Sequence, residues 1–445
     1  MISYSKVSYK EILKLSLPII AGSAIENIST ITNTIFLGRV SAVALGAAAL
    51  GGIFYLALIM IAFGFGIGAQ ILVARRYGER NLSEIGNILH HAALFLLPLA
   101  VLITSVFFFQ GNIFFKHFLK SEDVYTSVSA FMKYRIWGLT FAYINILFKA
   151  FYIGIMRTRI IGMSSFIIAV VNIVFDYTLI FGHFGVPQMG IAGAGLASVL
   201  AEIAGTAFFI IYTSSRKNIH QFRLTQFAGF NLSKLGNMFK VASPVMVQFS
   251  LSFGGWFVFF LLVEKMGEIP LAASNLVRTV YMIVLLPLWG LASATNTLVS
   301  YKFGSNQINE IGAIVKKILL LAIVITGVLI CIVNFFSESY FSIYTNNAEL
   351  IRACKPILIV VSFSSILVSI SVILYNIISG SGKTHITLII EFVVMLFYVT
   401  WTYFIVNSER GTVTIVWMAE IWYGLIMGIM SIIYLRSGKW KKSKI

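Results

Sequence analysis

Long apolar blocks separated by short polar stretches make up almost the whole chain, and a two-residue alternation of apolar and polar positions is missing. Twelve blocks can be drawn, at about 11–36, 48–74, 86–110, 128–155, 160–182, 190–213, 238–263, 271–300, 313–335, 354–378, 384–406 and 412–435. Each reaches the ~20 residues a helix needs to cross the hydrocarbon of a bilayer. A spanning helix satisfies its own backbone hydrogen bonds, which an open strand in lipid cannot do. The pattern therefore predicts an all-α polytopic membrane protein with twelve transmembrane helices. The polar stretch 214–237 reads as a linker between an N-lobe over 1–213 and a C-lobe over 238–445. The first block, after Met1–Lys10, is too long for a signal-peptide core and ends without a small-residue cleavage site, so it is expected to remain as helix 1.

The two halves repeat. Adding 226 maps Pro18 onto Pro244, Leu45 onto Leu271, Ala47 onto Ala273, Tyr55 onto Tyr281 and Gly64 onto Gly290. The same shift turns the run Leu72–Gly78 into Leu298–Gly304 and Glu84-Ile85-Gly86 into Glu310-Ile311-Gly312. Each half holds six spans, an even number, so both are expected to insert the same way. A pseudo-two-fold axis along the membrane normal follows, a transporter-type arrangement. Toward the end of each half an offset of 222, taken from Arg157 and Ser379, places Tyr398 opposite Asp176.

Composition agrees with the pattern: 59% of residues are apolar and 11% charged, against about 45–50% and about 25% in soluble domains. A net charge of +17 would suggest nucleic acid in a soluble protein, but its distribution speaks of topology instead. Of 33 lysines and arginines, 22 fall at the N-terminus (Lys6, Lys10, Lys14), in alternate loops, in the central segment and in the tail that ends at Lys444. Ten, among them Lys116, Lys120, Lys133 and Arg135, fall on the other side, and Lys149 lies within a span. This bias puts both termini in the cytoplasm. The basic tail reads as a membrane-surface anchor rather than a nucleic-acid arm. Cys331 and Cys354 form no metal-like spacing and read as packing residues.

Against this apolar background the polar residues inside spans stand out. Asn172 and Asp176 are four apart and share a helix face. Their neighbours are almost all apolar, and an ionised carboxylate at membrane depth costs ~2.5–3.5 kcal/mol even on the lenient insertion scale. Two readings stand: a structural carboxylate, kept neutral or paired with another helix, or a cation or proton site. The run Gly190–Ser198 gives the next span a small-residue face for close packing, which would bring Ser198 and Glu202 near the span over 160–182. Glu26 lies seven residues before Asn33, on one face of the first span. Glu391 and Glu420 suit interhelix pairing and function equally, and Lys149 is expected to snorkel. Pro18 and Pro244 interrupt equivalent spans and are candidate bends; Pro98 and Pro287 read as simple kinks. The Ser379–Thr384 run lacks the first glycine of a nucleotide-binding loop, since Ile377 stands there, so no ATP drive is indicated. No Ser/His/Asp arrangement or paired His/Cys ligands point to an enzyme or a cofactor.

Taken together, these residues resemble the multidrug and toxic compound extrusion (MATE) family. The resemblance rests on Leu17-Pro18, the Asn33–Arg39 run, Leu72–Gly78 with its repeat, Asn172–Gly182 and Gly190–Ser198, with Gly154–Thr158 and Ser379–Thr384 as looser matches. It implies two six-helix bundles around a central cavity and export of amphipathic, often cationic compounds against Na⁺ or H⁺ entry. It places the N-lobe cation site on Asn33, Asn172, Asp176 and Ser198. Many prokaryotic members have aspartate at the position of Asn33, so here Asp176 acts alone, or Glu26 or Glu202 supplies a second carboxylate. The expectation is a monomeric antiporter in the plasma (inner) membrane, with an amphipathic small molecule and the bilayer as partners. A flippase for lipid-linked oligosaccharides is the alternative; it would need a basic cavity built from Lys149, Arg135 and Arg278. A channel or a membrane-bound binding protein would need neither ion site nor alternating access.

Overall fold

The computed structural model describes residues 7–119, 121–226, 229–345 and 347–442. Three of the charges counted above, Lys6, Lys120 and Lys444, lie outside the described residues. Among the described residues there is no strand. The first half comprises α1 (Tyr9–Val40), α2 (Ala42–Gly78), α3 (Leu82–Phe118), α4 (Glu122–Arg135), α5 (Gly138–Gly154), α6 (Arg159–Phe181) and α7 (Ile191–Ser214). A 3₁₀ turn at Lys217–Phe222 leads to α8 (Leu232–Glu264). Then come α9 (Glu268–Gly304), α10 (Ile311–Phe335), α11 (Ser337–Tyr344), α12 (Ala348–Gly380), α13 (Thr384–Val406), α14 (Val413–Trp417) and α15 (Ala419–Arg436). Eleven helical stretches are long and apolar enough to cross a bilayer, and the bent pair α4–α5 brings the number to twelve.

That bent pair corrects one expected span. In place of one helix over 128–155, α4 starts at Glu122 and meets α5 at 52°. Ser121 caps α4 by accepting from the Val124 amide. At the break, Gly138 leaves room that a side chain would fill. A Cβ there would stand 2.8 Å from Arg135 Nη1 and 3.3 Å from the Tyr55 hydroxyl. The interruption thus seats a guanidinium inside the bundle.

The repeat is written into the element ends. α2 and α9 begin at Ala42 and Glu268 and end at Gly78 and Gly304, 226 apart both times. The α4–α5 pair and α12 keep the same offset at both ends, although α12 is unbroken. Backbone sites of positive φ follow: Arg80 with Asn306, and Met156 with Gly382. The contacts Glu26–Ser165 and Ser252–Glu391 are 226 apart at both members and carry that offset past Arg157 into α6 and α13, so the offset of 222 drawn from Arg157 and Ser379 is one helical turn short. The counterpart of Asp176 is therefore Thr402, and Tyr398 corresponds to Asn172. The offset falls to 222 only after α6 and α13, where α7 begins at Ile191 and α14 at Val413.

Two compact units emerge. One runs from Pro18 to Ala242; the other joins the described residues up to Leu17 with those from Ser243 onward. Both boundaries fall beside an interior proline, Pro18 in α1 and Pro244 in α8, and each helix continues through it. In the first unit α7 packs against α4, α5 and α6, and α2 against α3, α4 and α5. The glycines of α7 set those distances: a Cβ on Gly193 would lie 2.7 Å from the Leu179 carbonyl, and one on Gly195 2.5 Å from the Phe131 oxygen. The segment after α7 is clipped to α3, where His90 Nε2 bonds the Leu224 carbonyl at 2.7 Å and His91 Nε2 accepts from the Asn231 amide at 3.0 Å. In the second unit α12 packs against α9, α10 and α15. Lys317 Nζ donates to the Val7 carbonyl at 2.7 Å, tying the N-terminal segment to α10.

Candidate functional site

Two helix faces meet in the first unit as a ladder. On α1, Ser29 and Asn33 are four residues apart; on α6, so are Asn172 and Asp176. Each pair projects along one face, and the two rungs join at equal separation in sequence. Ser29 Oγ donates to Asn172 Oδ1 at 2.8 Å, and Asn33 Nδ2 donates to Asp176 Oδ2 at 3.1 Å. Asn172 Nδ2 then reaches Ser198 Oγ on α7 at 3.5 Å, a long contact that the small-residue face of α7 permits. Asn33, Asn172, Asp176 and Ser198 thus come together.

Asp176 is fully buried, and its Oδ1 has no hydrogen-bond partner among the described residues. No described lysine, arginine or histidine stands within ion-pair distance of it. A buried carboxylate oxygen left without a donor is costly, unless something outside the chain occupies the place beside it. The surrounding groups are carboxylate, amide and hydroxyl, the hard oxygen donors that suit a small cation. A proton on the orphaned oxygen would serve equally.

The other two acids stand apart from this ladder. Glu26 accepts from Lys149 Nζ at 2.7 Å and from Ser165 Oγ at 2.8 Å. Lys149 therefore pairs across to α1 instead of snorkelling. Glu202 accepts from Asn145 Nδ2 at 2.8 Å, and Asn145 Oδ1 accepts from Thr206 at 3.0 Å. Arg135 stands between these groups, its guanidinium 3.7 Å over the Tyr55 ring and Nη2 3.9 Å from Glu202 Oε1. Glu26 and Glu202 each face a resident cation; Asp176 does not.

Two participants, Ser29 and Asn145, escape a reading of the sequence, and a third, Arg135, is named there only for the charge bias and as a basic group for the flippase alternative. Ser29 could have been found, because its spacing to Asn33 mirrors that of Asn172 to Asp176. The place of Arg135 could not, since only the break between α4 and α5 turns a charge near a span end into an interior one. Asn145 likewise carries no signal of its own within α5.

The second unit lacks the ladder. At the positions of Asn33 and Asp176 it has Phe259 and Thr402. The Phe259 ring instead lies 5.6 Å from that of Tyr398 and 5.2 Å from that of Trp417, an aromatic packing in the same register.

A family model described as MatE matches the chain twice, over residues 18–178 and 244–404. The two matches are offset by 226 at both ends, the shift already seen in the helices. A curated relative from Thermotoga maritima, "Probable multidrug resistance protein NorM", is 21% identical over 98% of this chain and 94% of its own length. "Probable multidrug resistance protein YoeA" from Bacillus subtilis is 23% identical over 79% of this chain and 76% of its own. A crystal structure of MATE in complex with MaL6 superposes with a TM-score of 0.90 at 18% identity, covering 98% of this chain and 97% of the other. An outward-facing multidrug resistance MATE family transporter of the MOP superfamily gives 0.88 at 18% identity, with the same coverage. At these identities the structural likeness speaks for the fold alone. Both halves are matched by one family model over most of the chain, and the protein belongs to the multidrug and toxic compound extrusion family, MatE, as a membrane transporter built of two six-helix bundles.

Proposed function

We propose that the protein is a secondary active exporter of amphipathic, cationic small molecules, coupled to the entry of Na⁺ or H⁺ at Asp176. The observation that carries this reading is the buried Asp176 carboxylate, with Asn33 on one oxygen and no protein partner on the other. Asp176 carries the coupling charge alone, because Glu26 and Glu202 already face Lys149 and Arg135. Asn33 cannot take up a proton, but its amide oxygen can serve a cation. Asn172, one helical turn from Asp176 on α6, and Ser198, which Asn172 reaches at 3.5 Å, add two further oxygens to the proposed set.

The ladder supplies the link to motion. Ser29 and Asn33 fasten α1 to α6 through the same groups that meet the cation. Loading the site changes the charge that Asn33 sees, and α1 responds by bending at Pro18, with Pro244 the equivalent bend in α8. The membrane potential favours each entering positive charge by ~2.3 kcal/mol per 100 mV, which offsets part of the carboxylate's desolvation. The relatives' names, both of probable multidrug resistance proteins, support drugs as the cargo. Placement in the plasma membrane with both termini cytoplasmic, action as a monomer and independence of ATP complete the reading. The flippase alternative needs free basic groups for a diphosphate. Lys149 is instead held by Glu26, and Arg278 stacks 5.0 Å from the Phe260 ring.

The experiment is efflux of ethidium from proteoliposomes under an imposed Na⁺ or H⁺ gradient. One of the two gradients is expected to drive ethidium uphill, and an ionophore for that ion should abolish the movement. Ethidium flux that only follows its own gradient, whichever ion gradient is imposed, would refute coupling.

A further inference from the structure

The repeat places a second hydroxyl–carboxylate contact in the second unit, with the roles exchanged. In the first unit Ser165 on α6 donates to Glu26 on α1, and Lys149 on α5 adds its ammonium. Adding 226 to Glu26, Ser165 and Lys149 gives Ser252 on α8, Glu391 on α13 and Tyr375 on α12. Ser252 Oγ donates to Glu391 Oε1 at 2.5 Å, so the contact is kept while acid and hydroxyl change helices. Tyr375, at the position Lys149 holds in the first unit, and Tyr423 on α15 both pack against the apolar cluster beside Glu391.

What the second unit omits is the charge. Glu391 is 2% exposed, and no described lysine, arginine or histidine lies within ion-pair distance of it. Ile390 and Val394 flank it on α13 and belong, with Ile378 on α12 and Met427 on α15, to one buried apolar cluster. A carboxylate in such surroundings needs a counter-charge, whereas a protonated carboxyl needs only hydrogen bonds. The polar groups beside it can supply those: Ser252 from α8, Tyr375 from α12 and Tyr423 from α15. Beyond Tyr423 lies Glu420, itself buried and accepting from the Tyr281 hydroxyl at 2.8 Å and the Tyr398 hydroxyl at 2.9 Å. On α13 the other charged or titratable residues are His385 in its first turn, Tyr398 and Tyr403, with Lys383 just before it, while α14 carries none.

We propose that Glu391 is a proton-binding site of the second unit, separate from the cation site at Asp176. The proton is taken from water onto Oε2 and returned to water on release, while Ser252 holds Oε1. The site stands on its own contacts and does not depend on the coupling assigned to Asp176.

Infrared spectra of the full-length protein in lipid nanodiscs, titrated with pH, test it without any transport measurement. At neutral pH the wild-type-minus-Glu391→Gln difference should contain the carbonyl band of a protonated carboxylic acid, and the corresponding Glu26→Gln difference should contain only carboxylate bands. Ser252→Ala should move the Glu391 band to higher wavenumber, because its carbonyl loses a donor. Tyr375→Lys, which restores the cation of the first unit, should convert it to carboxylate. If Glu391→Gln fails to fold, the Ser252→Ala shift reads the same group. A carboxylate signal from Glu391 at neutral pH, or no acid band responding to either Glu391→Gln or Ser252→Ala, would overturn the proposal.

Discussion

Three acids in the first unit meet burial in three ways. Glu26 takes a lysine, Glu202 takes an amide and a more distant arginine, and Asp176 takes one amide and keeps an oxygen open. The side chain of Lys149 is 26% exposed and that of Glu26 42%, so their pair contributes as a solvent-screened contact, on the order of 1 kcal/mol or less. In a double-mutant cycle on thermal unfolding, Lys149→Met should lower stability by about that amount, and Glu26→Gln should remove most of the difference. A loss of several kcal/mol would mean that the pair is sealed from water. The acids themselves were legible as charges inside apolar runs, and the i, i+4 spacing of Asn172 and Asp176 gave the face that meets α1. Which acid had a partner was not legible, because Lys149 and Arg135 are brought in from helices far away in sequence.

At the level of elements, the spacing of apolar blocks located twelve spans, and the glycine run of α7 announced a close packing face. A Cβ on Gly193 would meet the Leu179 backbone at 2.7 Å, where neither atom can swing aside. Gly193→Val should therefore destabilise the protein by ~1–3 kcal/mol, seen as a lower unfolding temperature in detergent. Gly327→Ala in α10, where nothing lies within 4 Å, should leave it unchanged or raise it slightly. Equal effects at both sites would show that α7 packing does not depend on the missing Cβ. The break between α4 and α5 was hidden, since Ile136, Trp137 and Gly138 read as one more turn of an apolar helix. The counterpart α12 runs straight through the same register. The misjudged offset had a similar origin. Gly154–Thr158 and Ser379–Thr384 can be aligned in more than one frame by letters alone, and the positive-φ residues Met156 and Gly382 select one.

For the whole molecule, the repeat preserves the scaffold and lets the chemistry diverge. The ends of α2 and α9, those of the α4–α5 pair and α12, and two left-handed turns keep one offset, while the Asn33–Asp176 rung becomes Phe259 and Thr402 in the second half. The proposed topology, expected from the charge bias, has the loop after α13 outside and the tail in the cytoplasm. In a Cys331→Ser, Cys354→Ser background, an impermeant maleimide added to intact cells should label Ser408→Cys and leave Ser437→Cys unlabelled until the membrane is opened. The reverse pattern would invert the topology and the direction of transport.

Central is the Asp176 carboxylate, with Asn33 on one oxygen, no hydrogen-bond partner among the described residues on the other, and the coupling role proposed for it. Its most direct test is ethidium efflux from proteoliposomes under the driving ion gradient, with wild-type protein and Asp176→Asn compared at equal reconstitution. Loss of uphill movement in the variant, with downhill ethidium flux retained, is the expected result. Undiminished gradient-driven efflux by Asp176→Asn would contradict it.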